Sequence, residues 1–164
     1  MTARVRAAAP ALAAATVATV LAGCSGASTV RAQEVVGNRA GAVALLVDSG
    51  AARSVQCTLR PFVRGKPRGI RFGGGSSDEI TTTVKDGEPA DVVVMPAGPA
   101  LDRILDELAR PPTSLTLTPG HVYWVGAVDD RGLALADFLS GPAGRKVQRS
   151  PACRAIVAAT AGGR

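Results

Sequence analysis

The chain is predicted to fold as α/β: a single doubly wound lobe of about four strands, three parallel and one returning, flanked by helices. Three observations predict it. Two continuous apolar runs, Ala42-Val-Ala-Leu-Leu-Val47 and Asp91-Val-Val-Val-Met95, have the pattern of strands buried on both faces. Helical spacing of apolar residues follows each run. Serine or glycine stands at every strand-to-helix turn, and in such sheets ligands sit beyond the carboxyl ends of the strands.

The elements follow in order. Asp48-Ser49-Gly50 breaks the first run, and Ser49 is placed to cap a helix carrying Val55, Leu59 and Phe62 on one stripe. Pro61 ends that helix or sits in its last turn. A second strand over 69–72 leads into a glycine loop, Gly73-Gly74-Gly75. Ser76 and Ser77 then stand at a helix N-cap, with Asp78 and Glu79 in the first turn. Gly87 ends this helix and Pro89 prevents its resumption. Gly98-Pro99 opens a third helix over 100–109, with Leu101, Ile104, Leu105 and Leu108 as its buried face. Residues 115–118 make a short extended piece, and His121 starts a strand that runs to Val128. Helices over 133–139 and 142–149 close the fold, and residues 159–164 form a frayed tail.

Composition narrows the function. The 164 residues carry a formal charge of +6. Most of the basic side chains are arginine, and only Lys66, Lys85 and Lys146 are lysine. The one basic cluster, Arg60 to Arg71, reads as a solvated turn, and with few aromatics no nucleic-acid partner is expected. His121 is the sole histidine, so no metal set and no serine–histidine pair is expected. The glycines lack the Gly-Lys-Ser/Thr of a phosphate-binding loop. No enzyme activity and no cofactor are expected.

The amino terminus has the pattern of an export signal. Arg4 and Arg6 precede an apolar run over 7–20 that is too short to span a bilayer comfortably. It ends in Leu21-Ala22-Gly23-Cys24, which resembles the bacterial lipoprotein lipobox. The resemblance implies a signal peptide over 1–23, lipid on Cys24, and an extracytoplasmic protein anchored to the cell membrane. Residues 24–41 read as a flexible tether, with the folded lobe over 42–158.

Three segments together resemble the periplasmic molybdate-binding proteins of ABC importers and the wider type II solute-binding proteins. These are Val47-Asp48-Ser49 with its helix, Phe72-Gly-Gly-Gly-Ser-Ser77 with Gly87-Glu-Pro-Ala-Asp-Val-Val-Val94, and Ala136-Asp-Phe-Leu-Ser-Gly-Pro-Ala-Gly-Arg145. The resemblance implies a small oxyanion as ligand, held by Ser49 and by Ser77 or Ser76, with Gly75 beside them. It also implies an ABC permease as a partner. Family members have two lobes, whereas here the connection from Ala109 to His121 replaces the second. Two functions follow as expectations. Either the lobe binds an oxyanion weakly, alone or by self-association, or it is a protein-interaction module with no small-molecule ligand. Tyr123, on the returning strand, is not the counterpart of the family's ligand tyrosine. With Cys24 lipidated, Cys57 and Cys153 remain as an even pair in an exported chain, and the family places both helices in one lobe. A disulfide between them is expected, with two free buried thiols as the alternative.

Overall fold

A computed structural model describes residues 31–36, 41–64, 66–118 and 121–161. The expected signal peptide over 1–23, the expected lipidation site Cys24 and the last three residues lie outside them. Six strands form one mixed sheet in the order β1-β3-β2-β4-β6-β5. They are β1 (Arg31–Val36), β2 (Val43–Asp48), β3 (Ile70–Gly75), β4 (Val92–Pro96), β5 (Thr113–Thr118) and β6 (His121–Ala127). The central three, β3-β2-β4, are parallel, and β6 returns antiparallel beside β4. The fold class is therefore the predicted one, an α/β lobe with a parallel centre.

The two apolar runs become β2 and β4, and alternation along them feeds two cores. Leu45, Val47, Val92 and Val94 face α1 (Ala52–Val63) and α4 (Leu133–Ser140), with Val55, Leu59, Leu135 and Leu139 opposite them. Leu46, Val93 and Met95 face α2 (Ser77–Lys85) and α3 (Pro99–Asp102), where Ile80, Val84, Leu101 and Ile104 close the second core. Both faces of the centre are covered, which is why these strands carry no polar alternation.

The structure departs from the sequence reading in five places. The folded part begins before Ala42, because β1 lies within the stretch read as a tether and pairs with β3. Gly73 to Gly75 are not a loop: they complete β3, in register with Leu46 to Asp48. Ser49 does not cap α1, whose N-cap is Ala51 without a side-chain hydrogen bond. The third helix stops after Asp102, and a short 3-10 turn over Leu105–Glu107 leaves Leu105 42% exposed. Finally, α6 (Pro151–Ala161) follows α5 (Pro142–Gln148), so helix replaces the start of the expected tail. Pro61 lies inside the last turn of α1, where it removes the hydrogen bond to the Cys57 carbonyl, and the helix ends two residues later at Val63.

Cys57 on α1 and Cys153 on α6 are joined by a disulfide, with Cα atoms 5.5 Å apart. Such a bond belongs to a chain that matures in an oxidising environment. Among the described residues no helix is long and apolar enough to cross a membrane.

Candidate functional site

Parallel register brings the ends of β2 and β3 together, Asp48 opposite Gly75. Both chains then turn outward, into α1 and α2. The predicted residues Ser49, Gly75, Ser76 and Ser77 therefore do share one edge of the sheet. The returning strand adds another residue, because Tyr123 pairs with Pro96 at the carboxyl end of β4.

The hydroxyls at this edge are already engaged. Ser49 donates both its N–H and its hydroxyl to the Gly75 carbonyl, at 2.8 and 2.9 Å. Ser77 donates its hydroxyl to Oδ2 of Asp48 at 2.7 Å, which ties the start of α2 to the end of β2. A serine hydroxyl has one proton to give. An oxyanion could take either proton only by breaking these bonds. Ser76 is the N-cap of α2 in a reciprocal capping box: its Oγ accepts from Glu79 N–H, and its own N–H donates to Glu79 Oε2. Ser76 is thus a structural cap, and of the two serines Ser77 is the one aimed at β2. Gly75 contributes its carbonyl, an acceptor, to this edge.

Asp48 is the group that the sequence reading passed over. Its Oδ1 accepts Gly50 N–H at 2.9 Å while Oδ2 holds Ser77. No Lys, Arg or His side chain pairs with it among the described residues. Tyr123 is the second omission. Its ring belongs to the α1-side core, and its hydroxyl projects beside Gly50. Burial first, and the Asp48 charge second, push the Tyr123 hydroxyl above its ordinary value of 10.0. A signal for Tyr123 existed in the sequence: an antiparallel return puts the start of its strand at the carboxyl ends of its neighbours.

The opposite end of the sheet carries the Asp91 of the Gly-Glu-Pro-Ala-Asp segment. Its side chain is 2% exposed. Oδ2 accepts Ala44 N–H at 2.7 Å, and Oδ1 accepts Arg131 at 2.5 Å. Burial lifts this carboxyl above the ordinary carboxylate range, against the pull of Ala44 N–H and of Arg131. The arrangement clamps β2, β4 and the turn before α4 together, and is structural.

Fold and site together define an α/β lobe with a polar cluster of Asp48, Ser49, Ser77 and Tyr123 at the carboxyl ends of its parallel strands. Comparison with protein-family models and with curated proteins gave no match. Among the described residues no group of three or more His, Cys, Asp or Glu is disposed to hold a metal ion.

Proposed function

We propose that this chain is a lipid-anchored, extracytoplasmic binding lobe, a reduced relative of the type II solute-binding proteins. Cys24 holds it to the cell membrane, and the carboxyl ends of β2 and β3 meet the ligand. The observation that carries this reading is the hydrogen bond from Ser77 to Asp48, 2.7 Å long. It draws two strand-end turns into one polar cluster at the position where sheets of this kind bind ligands. The disulfide supports export, and the lipobox supports the anchor. With one lobe the ligand stays half exposed, so affinity is low unless an ABC permease or a second copy closes the edge.

Asp48 opposes an oxyanion. Its carboxylate lies where negative charge would arrive, and it holds the Ser77 proton. The test is titration of the full chain with molybdate, tungstate, sulfate and phosphate, read by calorimetry and by amide shifts at Gly50 and Ser77. We expect dissociation constants in the millimolar range, about −4 kcal/mol. Asp48→Asn should tighten oxyanion binding several-fold. Submicromolar binding by the wild type would contradict the obstruction.

A second reading, a protein-interaction module without a small ligand, draws support from the same closed hydrogen bonds at Ser49 and Ser77. It gains if no ligand perturbs this edge in either protein.

A further inference from the structure

We propose that the face built by α1, α5 and α6 docks onto an anionic phospholipid surface. The inference goes beyond the strand-end edge, since it concerns a helical face that the ligand reading does not use.

The lobe is divided by charge. Residues 52–71 and 141–161 contain no Asp or Glu. They form the layer over one face of the sheet, because α5 and α6 pack on α1. The carboxylate of α4, Asp137, is paired with Arg110. On the other face α2, α3 and the turns beside them carry Asp78, Glu79, Asp86, Asp102, Asp106 and Glu107. Arg53, Arg60 and Arg64 recur with Cys57 at i, i+4, i+7, i+11 spacing, so α1 and its C-cap present their guanidinium groups on one stripe. The disulfide from Cys57 to Cys153 pins α6 beside that stripe. It adds Arg154, and the α5 segment adds Lys146 and Arg149, all exposed. None of these cations forms an ion pair among the described residues. The basic turn over 60–71 is thus the end of a larger patch. Like charges gathered without a counter-charge raise the field over this face, and a surface of opposite charge relieves it.

Helix α6 decides which polyanion fits. Of its described side chains only Cys153 is buried, whereas Ala152, Ala155 and Ala158 are exposed and Ile156 is 50% exposed. The helix adds little to the core and shows small and aliphatic side chains among arginines. A basic rim around aliphatic side chains suits a helix lying in a lipid headgroup layer. Nucleic-acid faces instead interleave aromatics that stack on bases. The aromatic residue of α1, Phe62, packs on Phe138, with ring centroids 4.9 Å apart. The disulfide also belongs to an oxidising compartment, where a membrane is the polyanion at hand.

The experiment is co-sedimentation of the full chain with vesicles of phosphatidylcholine alone and of phosphatidylcholine mixed with phosphatidylglycerol. The readout is the ratio of the two dissociation constants, since every variant shares the same amino terminus. We expect a preference for the anionic vesicles of roughly tenfold or more, falling as salt rises. Arg53→Gln/Arg60→Gln/Arg64→Gln and Lys146→Gln/Arg149→Gln/Arg154→Gln should each remove most of it while the thermal transition stays unchanged. Lys85→Gln/Arg103→Gln, on the opposite face, should leave it intact. Ile156→Gln should weaken anionic binding several-fold, and hydrogen exchange in the bound chain should slow at α1 and α6 rather than at α2. No preference, a preference kept in both triple variants, or protection at α2 instead of α6 would overturn the proposal. Tighter binding to a short DNA duplex than to anionic vesicles, lost in the same triple variants, would overturn the lipid assignment in favour of nucleic acid. Oxyanion titration reads a different part of the lobe, so the two proposals fail separately.

Discussion

The two ends of the central strands each carry an aspartate that accepts a backbone N–H, and they use it in opposite ways. At the amino end, Asp91 is sealed from solvent and meets a cation, Arg131. At the carboxyl end, Asp48 is half buried and meets only a backbone amide and a hydroxyl. The first carboxylate has every demand answered inside the chain, as buried charge requires. The second is left with charge and lone pairs over. Structure consumes the chemistry at one end and leaves it available at the other.

Matched glycines give the strongest contrast. A Cβ on Gly132 would lie 2.0 Å from the Asp91 carbonyl oxygen, and backbone in a clamped strand has nowhere to go. Gly132→Ala should cost about 3 kcal/mol, toward the top of the range for overpacking. A Cβ on Gly50 would meet side chains instead of strand backbone, the Tyr123 hydroxyl at 2.7 Å on a ring held in the core and the Asp48 carboxylate at 3.2 Å. Gly50→Ala should cost less than Gly132→Ala, about 1 kcal/mol. Denaturant titration of both variants measures the difference. Equal losses would erase the distinction between a clamped end and an open one.

Removing the two aspartates comes next in size. Asp91→Ala strands the Ala44 amide in the interior and releases Arg131, which is largely exposed and regains water. The expected loss is about 2–3 kcal/mol, mostly from the unsatisfied amide. Asp48→Ala leaves Gly50 N–H and Ser77 near solvent, so we expect less than about 1 kcal/mol. A loss at Asp48 as large as that at Asp91 would make both ends structural.

These differences also separate what the sequence shows by itself from what only the fold brings together. The parallel centre was legible because β2 and β4 are buried on both faces, and uninterrupted apolar runs have few other solutions. The cap of α2 is legible only as Ser76 or Ser77, and the capping box with Glu79 in the structure selects Ser76. Strand β1 was hidden: Arg-Ala-Gln-Glu-Val-Val at a sheet edge carries no strong period, and its pairing partner is some forty residues away. The three glycines of β3 read as a loop because β-propensity is weak evidence against tertiary pairing. Asp48 was overlooked because a carboxylate at a strand end resembles an ordinary turn residue. Its meaning comes from Ser77 and Tyr123, which are distant in sequence.

The cap of α2 should have a smaller effect than the Asp91 clamp. Ser76→Ala removes one half of the capping box, and about 1 kcal/mol should be lost. Ser77→Ala frees Asp48 Oδ2 without uncapping the helix, so stability should change little while the Gly50 amide signal moves. If the two substitutions exchange these effects, Ser77 is the cap and the assignment of the two serines is reversed.

The subtlest expected effect is spectroscopic, and it reports directly on the open end. Tyr123 is the only tyrosine in the chain, so phenolate absorbance reports on one hydroxyl. Burial first and the Asp48 charge second hold it above 10.0, because the folded state favours the neutral phenol. The sign for stability follows from linkage. A folded-state value above the unfolded one gives stability that is fully present below pH about 10 and is lost as pH rises through the folded value. In the wild type, phenolate should therefore form late, and alkaline unfolding should accompany it. Asp48→Asn removes the charge and leaves the burial, so Tyr123 should ionise at lower pH than in the wild type yet still above its ordinary value. If Asp48→Asn leaves the titration unmoved, burial alone sets the phenol and the two oxygens do not share a common field. If the wild-type phenol titrates at the ordinary value, Tyr123 is not held in the core as described. The intermediate outcome would place a carboxylate and a phenol together at the one end of the sheet where neither is fully spoken for.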